Sequence, residues 1–202
     1  MAEAADHRQL MRAAIERDGE GQRALLGDDQ RAARNAFAAA SELYRQSWEA
    51  APPASYGRLV GMLKAAVLAG SGEPQANYVR TALAAEQESS PTASYAVAVA
   101  ALIAGDDVEA RKRAEGMRAG AEGMRAGADA FARTADAIAA LADRDPDAYS
   151  RSVETIIADF EAREQHLTGV AVADTALMLE RLAARRGMAA TVESPLLPRL
   201  RD

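Results

Sequence analysis

The densest mixture of charged and polar groups beside apolar anchors in this sequence is FEAREQHLTGVAVAD, residues 160–174. Glu161, Arg163, Glu164 and His166 fall where one helix should end, Thr168 is placed to cap the next, and Asp174 lies within that next helix. The chemistry on offer is recognition, because carboxylate, guanidinium and imidazole groups at a helix junction can pair with complementary groups on another molecule. Glu161, Arg163, Glu164, His166 and Asp174 are therefore the candidate partner-binding residues. The same residues also have a purely structural use. His166 can answer the negative end of its helix dipole, and the carboxylates can pair with neighbouring arginines on a solvated face.

Reactive chemistry has less to draw on. The only histidines are His7 and His166, and neither belongs to a His-Glu-x-x-His motif or a Glu-x-x-His pair, so no metal site can be written. No Asp-rich calcium loop, phosphate-cradling Gly-rich loop or Gly-x-Ser-x-Gly elbow occurs. Cysteine is absent, which excludes disulfides, thiol catalysis and cysteine-ligated metals. The expectation is a protein without metal or cofactor, and without catalytic activity.

Charge narrows the partners. With 30 acidic against 24 basic side chains, the formal net charge is -6 and no sustained basic run appears. Nucleic acid, which needs a basic face, is excluded as an expected partner. An acidic surface suits a basic protein, although the same excess also serves solubility alone. No basic segment followed by an apolar core opens the sequence, and no run of about 18 apolar residues occurs, so a cytoplasmic protein with no membrane association is expected.

The elements that must position these residues are helices. Hydrophobic residues make up 49% of the chain and aromatics only 4%, so alanine dominates the apolar share, favouring thin, closely packed helices over sheet. Apolar residues recur at three- and four-residue spacing: Phe37, Ala40, Ser41, Tyr44 and Trp48 on one face, then Leu59, Met62, Leu63, Ala66 and Val67. Val153, Ile156, Ile157 and Phe160 follow, and finally Val172, Thr175, Ala176, Leu179, Leu182 and Ala183. Trp48 and Tyr44 read as core, with a binding hot spot as the other use of the tryptophan. Glu73-Pro74, Ser90-Pro91 and Asp145-Pro146 mark helix starts, Asp106 with Glu109 forms a capping box, and Gly70, Gly105 and Gly187 mark stops. The spacing predicts helices over 5–18, 28–50, 55–70, 73–88, 91–104, 107–119, 125–143, 146–165 and 169–187.

Two repetitions stand out. AVLAGSGEPQA (66–76), ALIAGDDVEA (101–110) and AALADRDPDA (139–148) each close one apolar helix and open the next, with Leu68, Ile103 and Leu141 equivalent at spacings of 35 and 38. That period suits tetratricopeptide-type hairpins, and three ordinary hairpins with coincident turns would give it too. EGMRAGA occurs at 115–121 and again at 122–128. Its glycines weaken a helix, so a break near 119–125 is expected, while Gly116-x-x-x-Gly120 and Gly123-x-x-x-Gly127 would also allow close helix contact in a homodimer.

The expected fold is thus all-α, with antiparallel helical hairpins stacked in a right-handed, tetratricopeptide-like array or compact multi-helix bundle, and no sheet. It is expected to form one domain over 1–202: N-terminal helices over 1–54, hairpin repeats over 55–165, and a last helix with a Pro-containing tail over 166–202.

The ending carries one resemblance. TALMLERLAARRG leads through Gly187 and a short extended piece to Ser194-Pro195-Leu196-Leu197-Pro198, where the prolines forbid helix and Leu196, Leu197 and Leu200 can dock on the body. Over about 40 residues this resembles the end of the immunity protein 49 family of bacterial polymorphic-toxin systems. The resemblance implies a protein that binds and neutralises a cognate toxin without performing a reaction. In it Gly187, Ser194, Pro195 and Pro198 would shape the ending. A general scaffold gripping a peptide or helix, and a helical protein with a small-molecule cavity, are the alternative functions.

Overall fold

Side-chain oxygens open most of the helices in the computed structural model, which describes residues 6–84, 90–122, 124 and 127–199. Asp6 accepts the Arg8 N–H at the head of α1 (His7–Leu26), and Asp29 accepts that of Ala32 at the head of α2 (Gln30–Ala50). α3 (Gly57–Leu68) and α4 (Glu73–Ala82) start without a side-chain cap, and Pro74 occupies the first turn of α4. Ser90 caps α5 (Pro91–Ala104) and Asp106 caps α6 (Asp107–Ala121). The capping box is only half made, because Glu109 turns instead to Arg113 at 2.6 Å. α7 (Ala128–Ala142), α8 (Pro146–Glu161, capped by Asp145) and α9 (Asp174–Ala184) complete the chain. No strand occurs among the described residues, as the alanine-rich composition predicts.

One turn recurs at the end of every odd-numbered helix. At the end of α3 the Ser71 N–H donates to Ala66 C=O and the Gly70 N–H to Val67 C=O, with φ of Gly70 at +105°. The same pair of bonds closes α1 (Asp29 to Ala24, Asp28 to Leu25), α5 (Asp106 to Ala101, Gly105 to Leu102) and α7 (Asp145 to Ala140, Arg144 to Leu141). Met188 and Gly187 repeat it on Ala183 and Ala184 after α9. Each is a left-handed helix stop that satisfies the last carbonyls. Asp29, Asp106 and Asp145 then cap the following helix, so a single residue ends one bond pattern and starts the next. The predicted register needs one change: the residue matching Leu68 and Ile103 is Ala142, one beyond Leu141. The α1–α2 hairpin shares the turn but escapes notice in the sequence, because Asp28 rather than glycine takes the positive φ of 58°.

α3, α5 and α7 pack side by side, each also against the helix that follows it, and α9 lies on α3, α7 and α8. Central position explains why α5 is apolar all round, whereas α9 keeps Asp174, Glu180 and Arg181 off its buried face. One apolar cluster runs from Ala14 to Met188, with Met62, Leu63, Leu102, Ile138, Leu141, Tyr149 and Met178 at its heart. Trp48 is half-buried against Tyr56 at the edge of this core and Tyr44 is fully inside, while Phe37 is buried in a second, smaller cluster with Leu68, Val172 and Leu177. Two consecutive arginines fix the far end of α9. Arg185 donates to Gly70 and Ser71 C=O, and Arg186 to Leu102 C=O at 2.6 Å and to Asp107, so each guanidinium meets the negative end of a neighbouring helix. The tail docks as expected through Leu196 and Leu197, with the Ala173 N–H donating to Leu196 C=O at 2.8 Å. Leu200 lies outside the described residues, as does the end predicted for helix 73–88.

The clearest departures concern glycine and the last junction. α1 runs through Gly19 and Gly21 to Leu26 rather than stopping at 18. A Cβ at Gly21 would sit 2.7 Å from the buried Phe37 ring, so this glycine serves close α1–α2 approach rather than a break. Gly21→Ala should therefore destabilise the protein by about 1–3 kcal/mol, despite alanine's better helix propensity. A melting temperature equal to or above that of the parent would contradict this. The break near 119–125 is present, since α6 ends at Ala121 and α7 begins after Gly127. Gly116 and Gly120 face Ser94 and Pro91 of α5 in the same chain, so their spacing serves internal packing. Gly123 lies outside the described residues. α8 stops at Glu161 and α9 starts at Asp174, four and five residues from the predicted ends. Thr168 caps neither, because its hydroxyl donates to Gln22 Oε1 and accepts from the Val170 N–H.

Candidate functional site

The 162–173 connection covers an open pocket of about 310 Å³ walled by α3, α5, α7, α8 and the start of α9. Of the predicted residues, Arg163, His166 and Asp174 line this pocket. Glu161 turns away to accept the Ser194 hydroxyl at 2.7 Å, which pins the tail, and Glu164 is exposed on the outer side.

The floor is polar and largely buried. Lys64 of α3 donates to Asp174 Oδ2 of α9 at 2.6 Å. Burial opposes the lysine's charge, yet Asp174 prevails and holds the ammonium protonated above its ordinary range. Tyr95 of α5 lies beside this pair, 8% exposed, and burial raises its hydroxyl above the usual phenol range. That hydroxyl approaches Thr175 without completing a hydrogen bond of ordinary geometry. Behind the floor, Tyr44 donates to the buried Asp18 at 3.1 Å. Burial lifts the Asp18 carboxyl to about 7, against the opposing pull of Lys64.

The rim is cationic. Asp159 of α8 receives both Arg133 of α7 and Arg163, the latter at 2.5 Å. Arg163 lies 3.7 Å from the centroid of the Phe160 ring, and His166 stacks near the same ring at 6.2 Å between centroids. His166 Nδ1 is buried without a hydrogen bond. Val60, Phe131, Ile156, Leu167 and Val172 supply apolar wall between rim and floor.

Lys64, Tyr95, Arg133 and Asp159 were not singled out in the sequence. Lys64 had a usable signal, as a lone cation in the apolar run LVGMLKAAVLAG and one of only two lysines in the chain. The others sit on ordinary amphipathic helices and gain meaning only from juxtaposition. Among the described residues, no group of three or more His, Asp or Glu is placed to hold a metal ion.

These features define the chain as an all-helical hairpin array with one pocket of polar floor and cationic rim beneath its last connection. The chain matches no protein-family model, no curated protein and no solved structure. Among the described residues, no helix is long and apolar enough to cross a membrane.

Proposed function

We propose that this chain is a non-catalytic binding protein that engages another protein through the connection after α8. The observation that carries this reading is Leu167, 70% exposed on a turn held on both sides, by Arg163 to Asp159 and by Thr168 to Gln22. A large apolar side chain presented on an anchored turn, with Arg163, Glu164 and His166 around it, offers an anchor ringed by charge, the arrangement that dominates many interfaces. In its specific form the partner is a bacterial toxin, neutralised in the cytoplasm by occlusion. That form rests on the resemblance of the C-terminal ending, where Gly187 takes a positive φ of 68° and Ser194 and Leu196 fasten the tail.

The tetratricopeptide-like scaffold reading draws on the recurrent turn. Its usual binding face, however, is the row of first helices, and here α9 lies across α3 and α7. A peptide would have to displace the chain's own helix, so the junction surface is the better supported interface.

The test is co-expression with the product of the adjacent gene, followed by size-exclusion chromatography and titration of the purified pair. Leu167→Glu should weaken the complex roughly thirtyfold, the equivalent of a 2 kcal/mol hot spot. Val108→Glu, at an 83% exposed position on α6, should leave it unchanged. Lack of a complex, or a complex indifferent to Leu167→Glu, defeats the proposal.

A further inference from the structure

We infer that the pocket beneath the 162–173 connection is a binding site for a small amphipathic monocarboxylic acid, sharing Arg163, His166 and Leu167 with the protein interface but tested apart from it. Three features of different origin point to that class of ligand.

The first is unspent hydrogen-bonding capacity. The Tyr95 hydroxyl is more than nine-tenths buried in a pocket-lining residue and completes no hydrogen bond, and His166 Nδ1 is buried in the same condition. Buried polar groups are nearly always satisfied, and these two atoms sit just behind the pocket wall, where a small shift of either side chain would bring them to a bound ligand. The second is charge. Lys64, Arg133 and Arg163 line the pocket against Asp159 and Asp174, three cations facing two carboxylates in a chain of net charge -6. Arg133 and Arg163 share the single Asp159 carboxylate, which leaves most of their five N–H donors each for another acceptor. The surplus of one positive charge matches a monoanion; a phosphate dianion would leave negative charge uncompensated. A cationic ligand would find both carboxylates already engaged by Lys64 and the arginines. The start of α9 opens onto the same space without a side-chain cap, and its dipole adds to the preference for an anion.

The third feature is shape. Phe131, Phe160 and Tyr95 form an aromatic wall, with Tyr95 and Phe131 edge to face at 6.4 Å, and Val60, Ile156 and Val172 continue it. A cavity of about 310 Å³ lies at the small end of the roughly 300–1,000 Å³ range of ligand pockets. The ligand is therefore an acid with one compact aryl or alkyl body, not an extended lipid.

The purified full-length chain would be titrated calorimetrically with phenylacetate, indole-3-acetate and hexanoate. Phenethylamine, phenylacetamide and phenyl phosphate serve as size-matched controls of other charge. At least one carboxylate should bind and raise the melting temperature, with each control at least tenfold weaker. Tyr95→Phe, which removes only the hydroxyl, should weaken that carboxylate roughly tenfold, as should Arg133→Gln, both with unchanged circular dichroism. No binding by any of the three carboxylates at millimolar concentration overturns the inference. So does equal binding of the amine or amide, or affinity indifferent to both substitutions. None of these outcomes bears on the Leu167 interface, which the co-expression experiment tests separately.

Discussion

Lys64→Met is expected to destabilise the folded protein by about 3–5 kcal/mol. Methionine matches the lysine's length and apolar stem, so the loss comes from the charge. Lys64 donates to Asp174 at 2.6 Å where both side chains are largely buried, and removing it strands a carboxylate at the pocket floor. Lys64→Met combined with Asp174→Leu should recover at least half of the loss, because a well-packed apolar pair substitutes for a buried ion pair at little cost. Urea unfolding of the four members of this cycle measures the coupling. Additive single effects would show that the ion pair does not hold α3 to α9.

Stability should also fall as pH rises from about 4 to about 7, on account of Asp18. Burial lifts its carboxyl from 3.8 to about 7 in the folded chain. Below pH 4 both folded and unfolded states hold the proton, and the group has no effect. Between the two values the unfolded chain releases a proton that the folded chain keeps, so folding is progressively disfavoured by about 1.4 kcal/mol per pH unit. Above the folded value the penalty is complete and stays constant. Asp18→Asn retains an oxygen to accept the Tyr44 hydroxyl and cannot ionise. It should match the parent within about 1 kcal/mol at pH 4 and exceed it by about 2–4 kcal/mol at pH 8. Parallel pH profiles for the two proteins would refute the assignment.

The sequence's legibility followed the range of the interactions involved. Stripes such as Leu59, Met62, Leu63, Ala66 and Val67 report burial within a single helix, and all five are buried. The stops at Gly70, Gly105 and Gly187 were readable because a left-handed residue favours glycine locally, whereas Asp28 announces the same conformation only weakly and Arg144 not at all. Gly21 is the opposite case, lying inside a helix that the spacing ended at 18. Its reason for being glycine is the Phe37 ring of another helix, a contact that no local rule contains. The pocket divides in the same way. Arg163, His166 and Asp174 lie close enough in sequence to be noticed together, while Lys64, Tyr95, Arg133 and Asp159 arrive from α3, α5, α7 and α8. Their charges come together only in three dimensions, and each alone looks like an ordinary helical residue.

The placement of α9 across the first helices also sets a timetable for the growing chain. Lys64 meets Asp174, Gln22 meets Thr168 and Gln30 meets the Arg199 carbonyl across separations of 110, 146 and 169 residues. The hairpins themselves are local and form quickly, but their shared face waits for the ribosome to deliver the last segment, a delay on the order of ten seconds at ordinary elongation rates. During that interval Lys64 lacks its Asp174 partner, and the row of α3, α5 and α7 lacks the cover of α9. Synthesis of the final connection both completes the pocket and ends the exposure.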